Sequence, residues 1–240
     1  ESKSPKGLTV AFLLKRMRRR IRKLLGIGMP PKAHRDLKTR FTYVYRGNVW
    51  QSAESASGPG SDMGSGSVRQ ARIALAQVMR DHDIRLIADV PCGDFAWMQS
   101  VDLGGAEYIG GDHVPELIAE NMRRYDAPGR RFEILDLTRG PLPPADLVVV
   151  RDALVHLPLA TAQQALDILR HGDFRYLAIT HFPNLPSNAD ILLGQWRPLN
   201  LCAAPFHWPP PDETLPEYIH PGAPETQLKV LGVWRGHQED

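Results

Sequence analysis

The chain has 240 residues, 42% hydrophobic and 23% charged, which allows a sizeable core in one catalytic-sized domain with a small appendage and reads as globular. A net charge of +2 excludes a uniformly basic or acidic protein, no apolar stretch approaches a membrane span, and Cys92 and Cys202 are too few for a disulfide framework. The opening residues lack the basic patch, apolar run and cleavage site of a secretory signal, so a reducing, cytoplasmic setting is expected.

The near-neutral total hides an asymmetry. Residues 1–40 carry 13 Lys and Arg against 2 acids, a balance of +11, and the rest carries 16 against 25, or −9. Within "VAFLLKRMRRRIRKLLGIG", Val10, Leu13, Leu14, Met17, Ile21, Leu24 and Leu25 recur at helical spacing and Lys or Arg covers the other positions. The pattern predicts a basic amphipathic helix closed by Gly26 and Gly28 and stopped by Pro30 and Pro31. Residues 8–25 would lie on the inner face of an anionic membrane or join a biosynthetic complex, pack on the protein body or in an oligomer, or touch nucleic acid. The net acidic body disfavours nucleic acid.

Residues 41–67, "FTYVYRGNVWQSAESASGPGSDMGSGS", change from aromatic to Gly/Ser-rich. Composition suits a flexible linker. A linker has no use for Phe41, Tyr43, Tyr45 and Trp50, which instead suggest a docked segment, a lid whose glycine-rich end crosses a site and brings Glu54 and Ser57 to it.

Residues 68–240 alternate. A helix is predicted over 68–80, then strands in "RLIADV", "AEYIGGD", "RRFEILDL", "ADLVVV" and "RYLAIT", with helices in "VPELIAENMRRY" and "ATAQQALDILRH". This alternation predicts an α/β, doubly wound Rossmann-like sheet, mostly parallel, with helices on both faces. Ligands of such sheets bind at the carboxyl ends of the strands. That rule gathers residues 89–94, Asp112, Asp136 and residues 151–156 around one crevice.

The loop "DVPCGD" is not a dinucleotide fingerprint, since Phe95 and Trp97 stand where small residues are needed and Asp89 and Asp94 repel phosphate. Acids beside Gly93 suit a ligand carrying an ammonium or sulfonium group. "DVPCGD" and "YIGGDHVPELI" resemble the first and second motifs of class I S-adenosylmethionine-dependent methyltransferases. "YRGNVWQSAESASGPGS", "RDALVHL" and "WRPLNLCAAPF" resemble bacterial methyltransferases associated with polysaccharide or glycolipid biosynthesis. The resemblance implies S-adenosyl-L-methionine as cofactor, with Asp89 and Gly93 near its methionine part, Asp94 at its ammonium, Asp112 at the ribose hydroxyls, and Asp136 and Leu137 at the adenine edge. It also implies an antiparallel C-terminal edge hairpin including "ETQLKVLGVWRG". Trp97 reads as core or as a cofactor wall.

If "RDALVHLP" begins a helix, Asp152 and His156 share a face, giving a general base, His156, with Asp152 as its orienter or as a substrate ligand. The competing reading has His156 capping a helix or packed under the lid; His181 is a second candidate base. Arg151, Trp196, Arg197 and Asn200 would suit a sugar ring, or belong to a wrapped proline-rich loop. No metal-ligand spacing stands out, so no metal is expected. The expectation is O-methyl transfer to a sugar hydroxyl of a bacterial surface glycan or its precursor. The alternatives are another small-molecule acceptor and a catalytically silent cofactor-binding partner.

Overall fold

The computed structural model describes residues 36–52, 54–218 and 224–236. The basic segment 8–25 lies outside the described residues, so the expected helix and its membrane or complex contacts are not part of the fold below. No helix among the described residues is long and apolar enough to cross a membrane.

Seven strands form one sheet: β1 (Leu86–Asp89), β2 (Glu107–Asp112), β3 (Arg130–Ile134), β4 (Ala145–Val150), β5 (Phe174–His181), β6 (Glu213–Tyr218) and β7 (Lys229–Arg235). Their order is β3-β2-β1-β4-β5-β7-β6, parallel from β3 to β5 and antiparallel at β7 and β6. The order reverses between β1 and β4, which opens a crevice beside β1. Alternate residues face opposite cores because strand side chains alternate. Ile87, Leu147, Val149 and Ala178 point to one core, and Ala88, Val148, Val150, Leu177 and Ile179 to the other.

Four helices are described: α1 (Leu37–Gly47), α2 (Gly66–Asp81), α3 (Pro115–Tyr125) and α4 (Leu159–Arg170). Val68, Leu75 and Val78 of α2 and Ile118 of α3 fill the first core, while Ala162, Leu166 and Leu169 of α4 fill the second. Ser65 caps α2 by accepting from the Val68 N–H at 3.1 Å, and Pro115 opens α3 where its missing N–H has no intrahelical partner to lose.

Helix α1 crosses the boundary anticipated at residue 40. Asp36 caps it by accepting from the Thr39 N–H at 2.7 Å, and Asn48 ends it in the left-handed conformation. Phe41 and Tyr45 therefore stand one helical turn apart on a docked helix rather than in an open linker. An exposed ion pair from Arg46 to Glu116 ties α1 to α3.

Candidate active site

Four strand ends and α1 border an open cleft of about 980 Å³, a volume that includes the solvent at its opening. Its floor is Gly93, Asp112, Asp136, Leu137, Arg151, Asp152 and His156; its roof is Phe41, Val44, Tyr45 and Trp50, with Ala56, Ser57 and Ser61 along one wall.

At the end of β1 the chain must turn sharply over the sheet. Gly93 adopts φ +55°, and a β-carbon there would collide with the Ser57 hydroxyl, so only glycine fits under that segment at this point of the cleft lining. The Gly93 carbonyl accepts from Asn121 Nδ2 at 2.7 Å, which pins the loop to α3. Asp89 does not line the cleft. It is 1% exposed, faces the core beside Tyr108 and accepts from that hydroxyl at 2.8 Å. Burial pushes its carboxyl up to about 7, against the Tyr108 hydrogen bond and Arg151, which pull it down. Asp94 also differs from its expected place. Its carboxylate accepts from Ser55 Oγ at 3.0 Å, the Ala56 N–H at 2.6 Å and Ser57 Oγ at 3.2 Å, so its lone pairs are spent on the segment above it.

Asp112, at the end of β2, lines the cleft while 6% exposed. Burial raises its carboxyl, opposed by His113 and by backbone N–H groups including that of Val114, 3.0 Å from Oδ1. A buried acid whose closest cation-forming partner among the described residues is the neighbouring His113 imidazole, at 3.8 Å, is best compensated by hydrogen-bond donors on a neutral group. The hydroxyl pair of a ribose fits that need. After β3, Asp136 turns the chain by accepting from the Thr138 N–H at 2.9 Å and hydroxyl at 2.7 Å, and Leu137 adds an apolar wall.

After β4 the expected helix is absent. Asp152 has φ +53°, and only Leu154–His156 form one 3-10 turn before Pro158. A left-handed residue and a proline bracket too few residues for an α-helical nucleus. Asp152 therefore makes no hydrogen bond with His156. Lys229 Nζ binds Asp152 Oδ2 at 2.6 Å, and Arg151 Nη2 lies 3.5 Å from it. Burial would raise the Asp152 carboxyl, but Lys229 and Arg151 outweigh it and hold the group below its ordinary value. Arg151 is itself paired with Glu217 and lies over Trp97, 4.7 Å from the ring centre, so its charge is spent internally.

His156 is oriented by a different partner. Its Nδ1 lies 2.9 Å from the Gln195 carbonyl, and its ring stacks on Trp50 with centres 4.6 Å apart. A carbonyl only accepts, so Nδ1 carries the proton and, in the neutral ring, Nε2 has the lone pair. Burial lowers the imidazole below 6.5, the Gln195 contact and Asp152 pulling the other way.

The remaining expected substrate ligands lie elsewhere. Trp196 is 53% exposed against Phe182 and does not line the cleft. Arg197 is buried and donates to the carbonyls of Ala189, Leu154 and Leu157 at 2.8–2.9 Å, bracing the turn that carries His156. Asn200 donates to Pro183 at 3.1 Å and Leu185 at 2.8 Å. Glu54 accepts from the Met63 N–H at 2.8 Å. Arg197, Asn200 and Glu54 serve loop structure because irregular backbone needs partners that no sheet supplies. His181 is 1% exposed, accepts the Leu201 N–H on Nδ1 at 3.2 Å, and is pushed down to about 4 by burial. It does not line the cleft either.

Sequence reading missed His113, Glu217 and Lys229. The first follows Asp112 directly; Lys229 opens an apolar strand and Glu217 lies in a polar one, and neither shows its partner in the sequence.

The chain matches no protein-family model and no curated protein sequence. Solved structures similar in fold include 1,6-didemethyltoxoflavin-N1-methyltransferase of Burkholderia thailandensis with 1,6-didemethyltoxoflavin and S-adenosylhomocysteine (TM-score 0.56, 13% identity, 99% of this chain and 94% of that one). NodS, an N-methyltransferase of Bradyrhizobium japonicum WM9 with S-adenosylhomocysteine, aligns at TM-score 0.54 and 10% identity over 81% of this chain and 99% of its own. Magnesium protoporphyrin IX methyltransferase (ChlM) of Synechocystis PCC 6803 with S-adenosylmethionine aligns at TM-score 0.52 and 11% identity over 98% and 100%. Together with the strand order, these likenesses identify the architecture of this chain as the Rossmann-like methyltransferase fold.

Proposed function

We propose that the protein is an S-adenosylmethionine-dependent O-methyltransferase acting on a hydroxyl of a small neutral acceptor. The observation that carries the reading is the shared cleft: Asp112 and the Gly93 turn lie at one end of the reversal point, and His156 with an unprotonated Nε2 lines the same space. The similar folds were solved with S-adenosylmethionine or S-adenosylhomocysteine, which supports the choice of cofactor.

Asp112 would hold the ribose, the Gly93 backbone the methionine end, and Asp136 and Leu137 the adenine side. When bound, this cofactor supplies an electrophilic methyl group on a sulfonium. His156 would take the proton of the acceptor hydroxyl on Nε2, while the Gln195 carbonyl keeps the ring in the required tautomer. Asp152, held ionised by Lys229, is a poor base and is better suited to accept a hydrogen bond from the acceptor and align it. Arg151 is neutralised by Glu217 and Asp152 by Lys229, so the charges beside His156 cancel, which favours an uncharged acceptor there.

A sugar hydroxyl of a bacterial surface glycan or its precursor fits such a site. The aromatic roof and Asp152 would hold it, since Trp196, Arg197 and Asn200 lie outside the cleft lining. The basic segment 8–25 would hold the enzyme at an anionic membrane surface where lipid-linked acceptors reside.

The test is transfer of a labelled methyl group to a panel of glycans, nucleotide sugars, phenols and RNA. Label in a neutral hydroxyl acceptor is expected, with transfer falling in acid as the His156 lone pair is lost, at a pH below the ordinary histidine range because burial lowers this imidazole. Label in RNA alone, or uptake of cofactor with no transfer to any acceptor, would contradict the reading.

A further inference from the structure

We propose that residues 54–65 form a strap that must lift for the cofactor to exchange, and that Asp94 is the positioning residue that latches it. The inference rests on the reading of the cleft as an S-adenosylmethionine site.

The strap is pinned at its base by a hydrogen bond from Ser52 to Asp62 and by the Met63 N–H donating to Glu54 at 2.8 Å. Between those pins one carboxylate holds it down, together with Arg151 Nη2, which donates to the Gly60 carbonyl at 3.1 Å. Ser55 Oγ lies 3.0 Å from both Asp94 oxygens, the Ala56 N–H donates at 2.6 Å, and Ser57 Oγ lies 3.2 Å from Oδ1. The Asp94 N–H in turn donates to Ser57 Oγ at 3.1 Å. Ser57 thereby sits directly on Gly93, with no room for even a methyl group between them. A ligand that enters or leaves along the Gly93 backbone must therefore pass Ser57 and the strap that carries it.

The strap has little else to hold it. Its apolar side chains are Ala56, Pro59 and Met63, and Met63 is 38% exposed. A segment held by a few hydrogen bonds rather than by buried apolar surface opens at low free energy, so its latch sets how often it opens. Hydrogen bonds to a charged acceptor are the stronger kind, which gives one carboxylate leverage over the whole segment. Asparagine keeps the shape of Asp94 but offers one accepting atom instead of two.

The experiment is stopped-flow tryptophan fluorescence of the full chain mixed with S-adenosylhomocysteine, reporting through Trp50 in the cleft. Asp94→Asn is expected to raise both association and dissociation rates about tenfold, the effect of weakening charge-assisted hydrogen bonds, with Kd changed less than about threefold. Ser55→Ala, which leaves Asp94 in place, should raise both rates in the same direction by a smaller factor, and carries the test if Asp94→Asn fails to fold by circular dichroism. A faster dissociation with unchanged association in Asp94→Asn would instead make Asp94 a direct ligand and overturn the latch. Unchanged rates in both variants would overturn the gate. No binding by the wild type would sink the cofactor reading itself, a result distinct from either.

Discussion

Replacing Glu217 with alanine is expected to destabilise the protein by about 3–5 kcal/mol, the range for breaking a buried ion pair from one side. For a chain of this size the melting temperature should fall on the order of 10 °C. Glu217 is fully buried on β6, and its Oε1 meets Arg151 Nη2 at 2.6 Å, Lys229 Nζ at 2.6 Å and Ser67 Oγ at 3.1 Å. Burial pulls Arg151 down, but Glu217 and Asp152 more than offset it and raise the guanidinium above its ordinary value. The cation cannot shed its proton when the anion is removed. Alanine would leave two buried cations sharing Asp152. Removing one of them should then recover stability: Glu217→Ala with Lys229→Met is expected to be less damaged than the sum of the single variants in urea unfolding, because the pair is coupled. Additive losses would contradict a charge-balanced cluster.

His156→Ala is expected to lower kcat by about 10²- to 10⁴-fold, the usual contribution of a positioned general base, once the acceptor panel has supplied a substrate. Affinity for S-adenosylhomocysteine should stay within about twofold, because the proposed cofactor contacts are made by other residues. The imidazole is stacked on Trp50 and bonded to Gln195, so the ring is held in one orientation before any acceptor arrives. Turnover close to wild type would show that alignment alone drives transfer; loss of cofactor affinity would move His156 from the chemistry to the pocket.

The sheet was legible because its strands are short apolar runs between helices with clear periodicity. β4 falls on the predicted residues, and the strand-end rule then collected Gly93, Asp112, Asp136, Arg151, Asp152 and His156, all of which line one cleft. Side-chain direction was not legible. Asp89 and Asp94 lie in the right loop, yet one faces Tyr108 and the other the strap, since which way an acid points depends on partners 19 and 37–39 residues distant. β6 escaped notice because "ETLPEY" contains a proline, which is tolerated there at the sheet edge. Its Glu217 and the Lys229 of β7 meet Arg151 and Asp152 only through the antiparallel hairpin, a pairing no local pattern encodes. The i,i+4 geometry assumed for Asp152 and His156 failed on backbone grounds: a positive φ at Asp152 and Pro158 beyond leave space for a single tight turn.

The most direct measurement is calorimetric titration of the folded full chain with S-adenosylhomocysteine, beside the Asp112→Ala variant. One equivalent is expected to bind to the wild type, with affinity at least tenfold weaker in the variant, as the loss of hydrogen bonds to a buried charge requires. Well-folded wild type that takes up neither S-adenosylhomocysteine nor S-adenosylmethionine would contradict the account.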